Sequence, residues 1–171
     1  MIKIWTLILV ILVSTPKQGN CQLNTIQSQV DSLKYIHSTM FDCNSVFWKI
    51  IASKEDAIPY LIDKMGDTTT TFAQYKCKTG YLKTGDIAYL ALEHIIPLPF
   101  FSVTGMQMCI YENGCQSGVF EYIEKNREQF RIQVNGWYNK NKRKLKWVKV
   151  DVQNLNPCEK ANNIWGHFML E

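Results

Sequence analysis

The chain contains no CxxC pair, no HExxH, HxH or HxxxH arrangement, and only the histidines His37, His94 and His167. Metal sites usually announce themselves by such closely spaced ligands, so no resident metal is expected, and no other cofactor either. There is no GxSxG, which leaves a nucleophile elbow without support. A Gly-rich phosphate loop is also missing, so nucleotide binding has no motif behind it. No low-complexity tract or long linker divides the chain, and only "DTTTT" (Asp67 to Thr71) looks like a loop. The longest apolar run, Ile4 to Val13, is interrupted by Thr6 and is too short to cross a bilayer as a helix. A strong charge excess is lacking as well. The formal net charge is +4, and Lys3 and Lys17 belong to the N-terminal segment, so charge makes no case for nucleic acid.

What remains is a 171-residue chain, 46% hydrophobic and 20% charged, which is the composition and size of one folded domain. It begins "MIKIWTLILVILVSTPKQGNCQLN". Lys3 followed by a short apolar core, then Pro16 and Gly19, has the form of a signal peptide. Gly19 and Cys21 would sit at positions −3 and −1 if cleavage precedes Gln22. The expected division is therefore a leader over 1–21 and a single helical domain over 22–171, exported to the periplasm or beyond. In a competing reading Cys21 is the lipidated first residue, although Asn20 is bulkier than the residue such sites usually place there. Membrane attachment is expected only in that case. Beyond Cys21 lie Cys43, Cys77, Cys109, Cys115 and Cys158, for which disulfides are the natural use in an oxidising compartment. The turn at Asn113-Gly114 in "CIYENGC" makes Cys109–Cys115 the best single pairing, and the odd count leaves at least one thiol over.

Helical spacing dominates the rest. Ile26, Val30, Leu33 and Met40 form one stripe, with Asn24 or Thr25 as cap. A second helix starts at Asn44 or Ser45 and carries Val46, Phe47, Ile50 and Ile51. After "SKED", a third holds Ala57, Ile58, Leu61, Ile62 and Met65, with Pro59 in its first turn and Gly66 as its stop. "TGDIAYLALEHIIP" is the strongest helix signal: Thr84 or Asp86 caps it, and its apolar surface predicts burial on most sides. A long helix over about Ser117 to Asn141 places Phe120, Ile123, Phe130, Val134 and Trp137 on one seam, with Gly136 as a weak point. "WVKVDV" alternates like a short strand. "NPCEKANNIWGHF" reads as a last helix capped by Asn156.

"EDAIPYLIDKMGD", "TGDIAYLALEHII" and "VNGWYNKNKRKLKW" together resemble helical-repeat proteins of the HEAT-like type found among secreted bacterial proteins, over roughly Asn44 to Trp147. The resemblance implies an all-α fold, a short HEAT-like array of helical hairpins, and a protein-contact role. It carries no catalytic residues. The candidate binding residues are the basic run Lys140, Lys142, Arg143, Lys144 and Lys146, set among Trp137, Tyr138 and Trp147. Such cations also serve a solvated helix end, their stems lying on apolar surface. His94 and Asp86 share a helix but stand two turns apart, about 12 Å by rise. Glu55 and Asp56 read as helix-entry charges. The expected function is an exported, non-enzymatic binding protein for another macromolecule, an immunity or inhibitor protein being one form. The alternatives are a small hydrolase assembled around Asp86 and His94, and an envelope component held by lipid at Cys21.

Overall fold

Helices form where apolar spacing predicts them. The computed structural model describes residues 19–37, 42–107, 111–112, 114–116 and 118–171, with backbone alone for 19–24 and 112. The expected leader lies almost wholly outside the described residues, as does Met40. α1 (Gly19–Asp31) buries Ile26 and Val30, and a 3-10 turn over Ser32–Tyr35 adds Leu33 to the same stripe. α2 (Val46–Ala52) begins after the extended backbone of Ser45 and buries Phe47, Trp48, Ile50 and Ile51. A 3-10 turn over Lys54–Ala57 reverses the chain into α3 (Ile58–Lys64), with Pro59 in its first turn. The expected helical hairpin is opened, since both helices pack on α4 (Thr84–Ile95) rather than along each other. α4 is buried on nearly every side, from Thr84 and Asp86 to Leu92 and Ile95. Pro97 and Pro99 end it, and a short α5 (Phe100–Thr104) follows. α6 (Val119–Asn141) buries Phe120, Ile123, Phe130 and Val134 along the predicted seam, with a local break at Asn126. Trp137, expected on that seam, is only partly buried. In α7 (Pro157–Ala161) Asn156 accepts from the Cys158 and Glu159 amides, and Glu159 accepts from the Asn156 amide in return.

The chain is nevertheless mixed α/β rather than the expected all-α array. Among the described residues, three antiparallel two-stranded ribbons appear: β1 (Thr70–Tyr75) with β2 (Lys78–Lys83), β3 (Tyr111–Glu112) with β4 (Cys115–Gln116), and β5 (Leu145–Lys149) with β6 (Gly166–Leu170). In β1 the buried Thr71 and Ala73 alternate with the exposed Thr70, Phe72 and Gln74, the period of two that a half-buried strand requires. The strand expected near Trp147 is present as β5, but its partner comes from the segment read as the end of the last helix. That helix stops at Ala161, Asn163 takes a positive φ of 56°, and β6 then pairs with β5 from Leu145↔Leu170 to Lys149↔Gly166. A ladder supplies main-chain hydrogen bonds that an isolated strand would leave to water.

The cysteines pair across the fold rather than locally. Cys43 is bonded to Cys158 and Cys77 to Cys115. The expected Cys109–Cys115 bridge is therefore corrected, because Cys115 is already taken; Cys109 lies outside the described residues. The β3–β4 turn does occur around Gly114, but it presents Cys115 to the β1–β2 turn, where Cys77 stands 5.3 Å away between Cα atoms. Two disulfides accord with an oxidising, periplasmic or extracellular environment.

Candidate functional site

A concavity of about 720 Å³ opens between α6, the Pro97–Pro99 segment and β6. Its α6 wall is the stripe Gln133, Gly136, Trp137, Lys140 and Asn141, the i, i+3, i+4, i+7, i+8 set that shares one face of a helix. Trp137 sits at the margin between this stripe and the buried seam, which explains its half-burial. Asn141 Nδ2 donates to Trp137 O at 2.8 Å and holds the helix end in form. Phe168, Met169 and Leu170 make the opposite wall, and Met169 and Leu170 are about half exposed at 48% and 49%. Among the described residues that line it, Lys140 is the one charged side chain.

The five basic candidates do not form one patch. Lys140 faces the groove. Lys142 Nζ donates to Asn139 Oδ1 at 3.2 Å and borders a separate cleft shared with Asp63 and Arg131. Arg143 and Lys144 are exposed in the 3-10 turn that joins α6 to β5. Lys146 is cross-strand from Met169 and is exposed beside it. Trp147 takes its cation from elsewhere, with Lys54 Nζ 4.6 Å from its ring centre, while its edge meets Phe168 at 5.0 Å.

Asp86 and His94 belong to different environments. The Asp86 carboxylate is fully buried and accepts from Arg127 at 2.6 Å, from Lys78 at 2.8 Å and from the Lys83 amide at 2.8 Å. Arg127 also donates to Met65 O at 3.2 Å. Just before Asp86, the Thr84 and Gly85 amides reach Thr69 O and Asp67 O. The "TGD" of the helix start is thus a structural junction tying α4 to α6 and to the loop before β1. His94 lies instead against Phe47 and Trp48, with Nδ1 3.5 Å from Glu159. Burial lowers its pKa, and the Glu159 carboxylate opposes that shift. Among the described contacts the two residues share no partner.

Sequence reasoning missed Arg127, although a signal was present. The α6 seam skips from Ile123 to Phe130, and Arg127 fills the vacant helical position. It also missed Glu93, on the α4 face that adjoins Tyr89. Glu93 accepts from the Leu98 amide at 3.2 Å and from the Tyr89 hydroxyl. Burial pushes its carboxyl up to about 7, against those two hydrogen bonds. Burial and the neighbouring Glu93 hold the Tyr89 phenol above its ordinary value. Among the described residues, no group of His, Cys, Asp and Glu side chains is arranged to hold a metal ion. No family model matches the chain, and neither a curated protein nor a solved structure matches it.

Proposed function

We propose that this chain is an exported, non-catalytic binding protein that takes an extended, acidic segment of a partner protein into the groove between α6 and β6. The observation that carries the reading is the groove's composition: mostly apolar walls with Lys140 as the only charged residue among the described lining. An acidic segment with apolar flanks complements it in both charge and surface. The strand pairing adds a second argument. Val150 N–H donates to Trp165 O and Glu171 N–H to Lys144 O, which sets the alternation of the ladder. The main-chain groups of Phe168 and Leu170 then face away from β5, at a strand edge that lines the groove. Such an edge accepts an extended peptide by strand addition. Arg143, Lys144 and Lys146 lie at the rim, where they steer an acidic partner more than they hold it. Export is supported by the two disulfides and by the leader-like sequence before residue 22. For the hydrolase alternative, Asp86 and His94 are held by separate partners.

Affinity capture from envelope extract, repeated with variants, tests this reading. The captured protein should be lost with Lys140→Glu and with Met169→Asp, and should release with salt. A combined Arg143→Glu/Lys144→Glu protein should retain it with slower association. Retention by Lys140→Glu, or capture of nothing that saturates, would overturn the groove as the site.

A further inference from the structure

A second, smaller cavity of about 120 Å³ lies on the other side of α4, between that helix, the β1–β2 ribbon and the start of α6. Its walls include Tyr75, Tyr89, Tyr111 and Phe120, with Glu93 among them and the Cys77–Cys115 disulfide at one side. The rings meet as a corner rather than a stack. Phe120 lies 5.8 Å from Tyr75 at an interplanar angle of 64°, and 6.0 Å from Tyr89 at 85°. The disulfide joins the β1–β2 turn to β4, so the segment bearing Tyr75 and the segment following Tyr111 cannot drift apart.

Glu93 is a partly buried carboxyl whose described hydrogen-bond partners are neutral. Among the described residues no lysine, arginine or histidine forms an ion pair with it. Lys78 approaches the Phe120 ring at 6.0 Å but is committed to Asp86 at 2.8 Å. Lys76 is exposed and lies against Gly114 at the rim. A buried carboxylate without a cation is expensive, and aromatic rings supply the complementary surface for one, since their faces are negative.

We propose that this cavity binds an alkylated ammonium head group, with the rings of Tyr75, Tyr89, Tyr111 and Phe120 around the cation and Glu93 as its counter-ion. The chemistry narrows further. One carboxylate without other ligating side chains does not make a metal site. At about 120 Å³ the cavity has room for a small head group. The Leu98 amide and the Tyr89 hydroxyl already donate to Glu93, so the site offers charge more than vacant acceptors. A fully alkylated nitrogen, with no N–H to satisfy, fits that offer. The head group belongs either to a free small cation or to a methylated lysine of a protein.

The test is calorimetric titration of the full, disulfide-bonded protein with choline, with its neutral carbon isostere 3,3-dimethylbutan-1-ol, and with a trimethyllysine peptide. Choline should saturate and the isostere should bind at least about tenfold more weakly, because it fills the same space without charge. Glu93→Gln should weaken choline by about tenfold or more. Tyr111 is 73% exposed, so Tyr111→Ala keeps the fold and should weaken choline about threefold or more. A peptide that binds no tighter than choline identifies a free cation as the ligand, and a tighter peptide identifies a protein side chain. Equal binding of choline and the isostere would overturn the proposal, as would undiminished choline binding by folded Glu93→Gln. So would the absence of saturable binding by both cationic probes. None of these outcomes bears on the groove at Lys140, which is lined by other residues.

Discussion

Asp86 and Arg127 stand 41 positions apart in the chain and meet at 2.6 Å, with Lys78 on the other carboxylate oxygen at 2.8 Å. The three side chains are almost completely withdrawn from water. Asp86 is the shared partner of both cations, and the variants should be unequal. Asp86→Ala leaves Arg127 with Met65 O and Lys78 with the exposed Glu124 at 3.5 Å, and should cost about 3–5 kcal/mol. Arg127→Met leaves Asp86 bound to Lys78 and the Lys83 amide, and should cost less than half as much. Urea denaturation of the two proteins measures the difference; equal losses would contradict the shared-anion arrangement.

Two helical glycines should respond in opposite directions. A Cβ on Gly85 would fall 2.3 Å from Met65 O and 2.9 Å from Asp67 O. Those are backbone atoms, so Gly85→Ala has to move the α3–β1 connection and should destabilise by about 1–3 kcal/mol or more. Gly136 has no atom within 4 Å of the same position, and Gly136→Ala should stabilise by about 0.5–1 kcal/mol through helix propensity. Thermal melts of both variants check the pair.

Glu93 gives a pH dependence of definite sign. Its folded value, about 7, lies above the ordinary 4.5, so between those values the folded protein holds a proton that the unfolded chain has lost. Stability then falls as pH rises from about 4.5 through 7, and is level above that. The full effect is on the order of 3 kcal/mol. Glu93→Gln keeps an acceptor for the Leu98 amide without the charge. It should flatten this slope and be more stable than the natural protein at pH 8. Denaturation midpoints across pH 5 to 8 decide the matter.

Peptide mapping of unreduced protein should recover Cys43 joined to Cys158 and Cys77 joined to Cys115. Their sequence separations of 115 and 38 imply different losses on removal, about 5 and 4 kcal/mol by the chain-entropy relation. The double variants Cys43→Ala/Cys158→Ala and Cys77→Ala/Cys115→Ala should rank in that order in a chaotrope melt.

The helices were legible because each writes its own period: Ile26, Val30 and Leu33, or Phe120, Ile123 and Phe130, need no knowledge of a distant partner. Asn156 and Glu159 declare a helix start in the same local way. The ribbons were not legible to that degree. β1 has Thr71 and Ala73 buried and Tyr75 only partly so, and so short an alternation is easily hidden by the Thr-rich stretch before it. β5 was visible by alternation, but "GHFML" became its partner only through a reversal at Asn163 that no spacing reveals. The site was legible in part. The basic run was found, yet its division between groove, cleft and turn depends on how α6 rolls against β6. Glu93 and the tyrosines of the small cavity come from separate elements, and only the fold brings them together.

The Cys43–Cys158 bond also decides how the protein answers a pull. Tension applied through residues before 43 and after 158 passes along the covalent bond and bypasses everything between, including α2 to α6. The load falls on what lies outside the loop, and β6 is there. Drawn from its Leu170 end, β6 would peel from β5 one rung at a time, beginning at Leu145↔Leu170, because the rungs are loaded in succession rather than together. The groove would lose a wall while the interior stayed intact. If the groove takes a partner as proposed, strain on that partner would release it at the β6 edge, with the core spared.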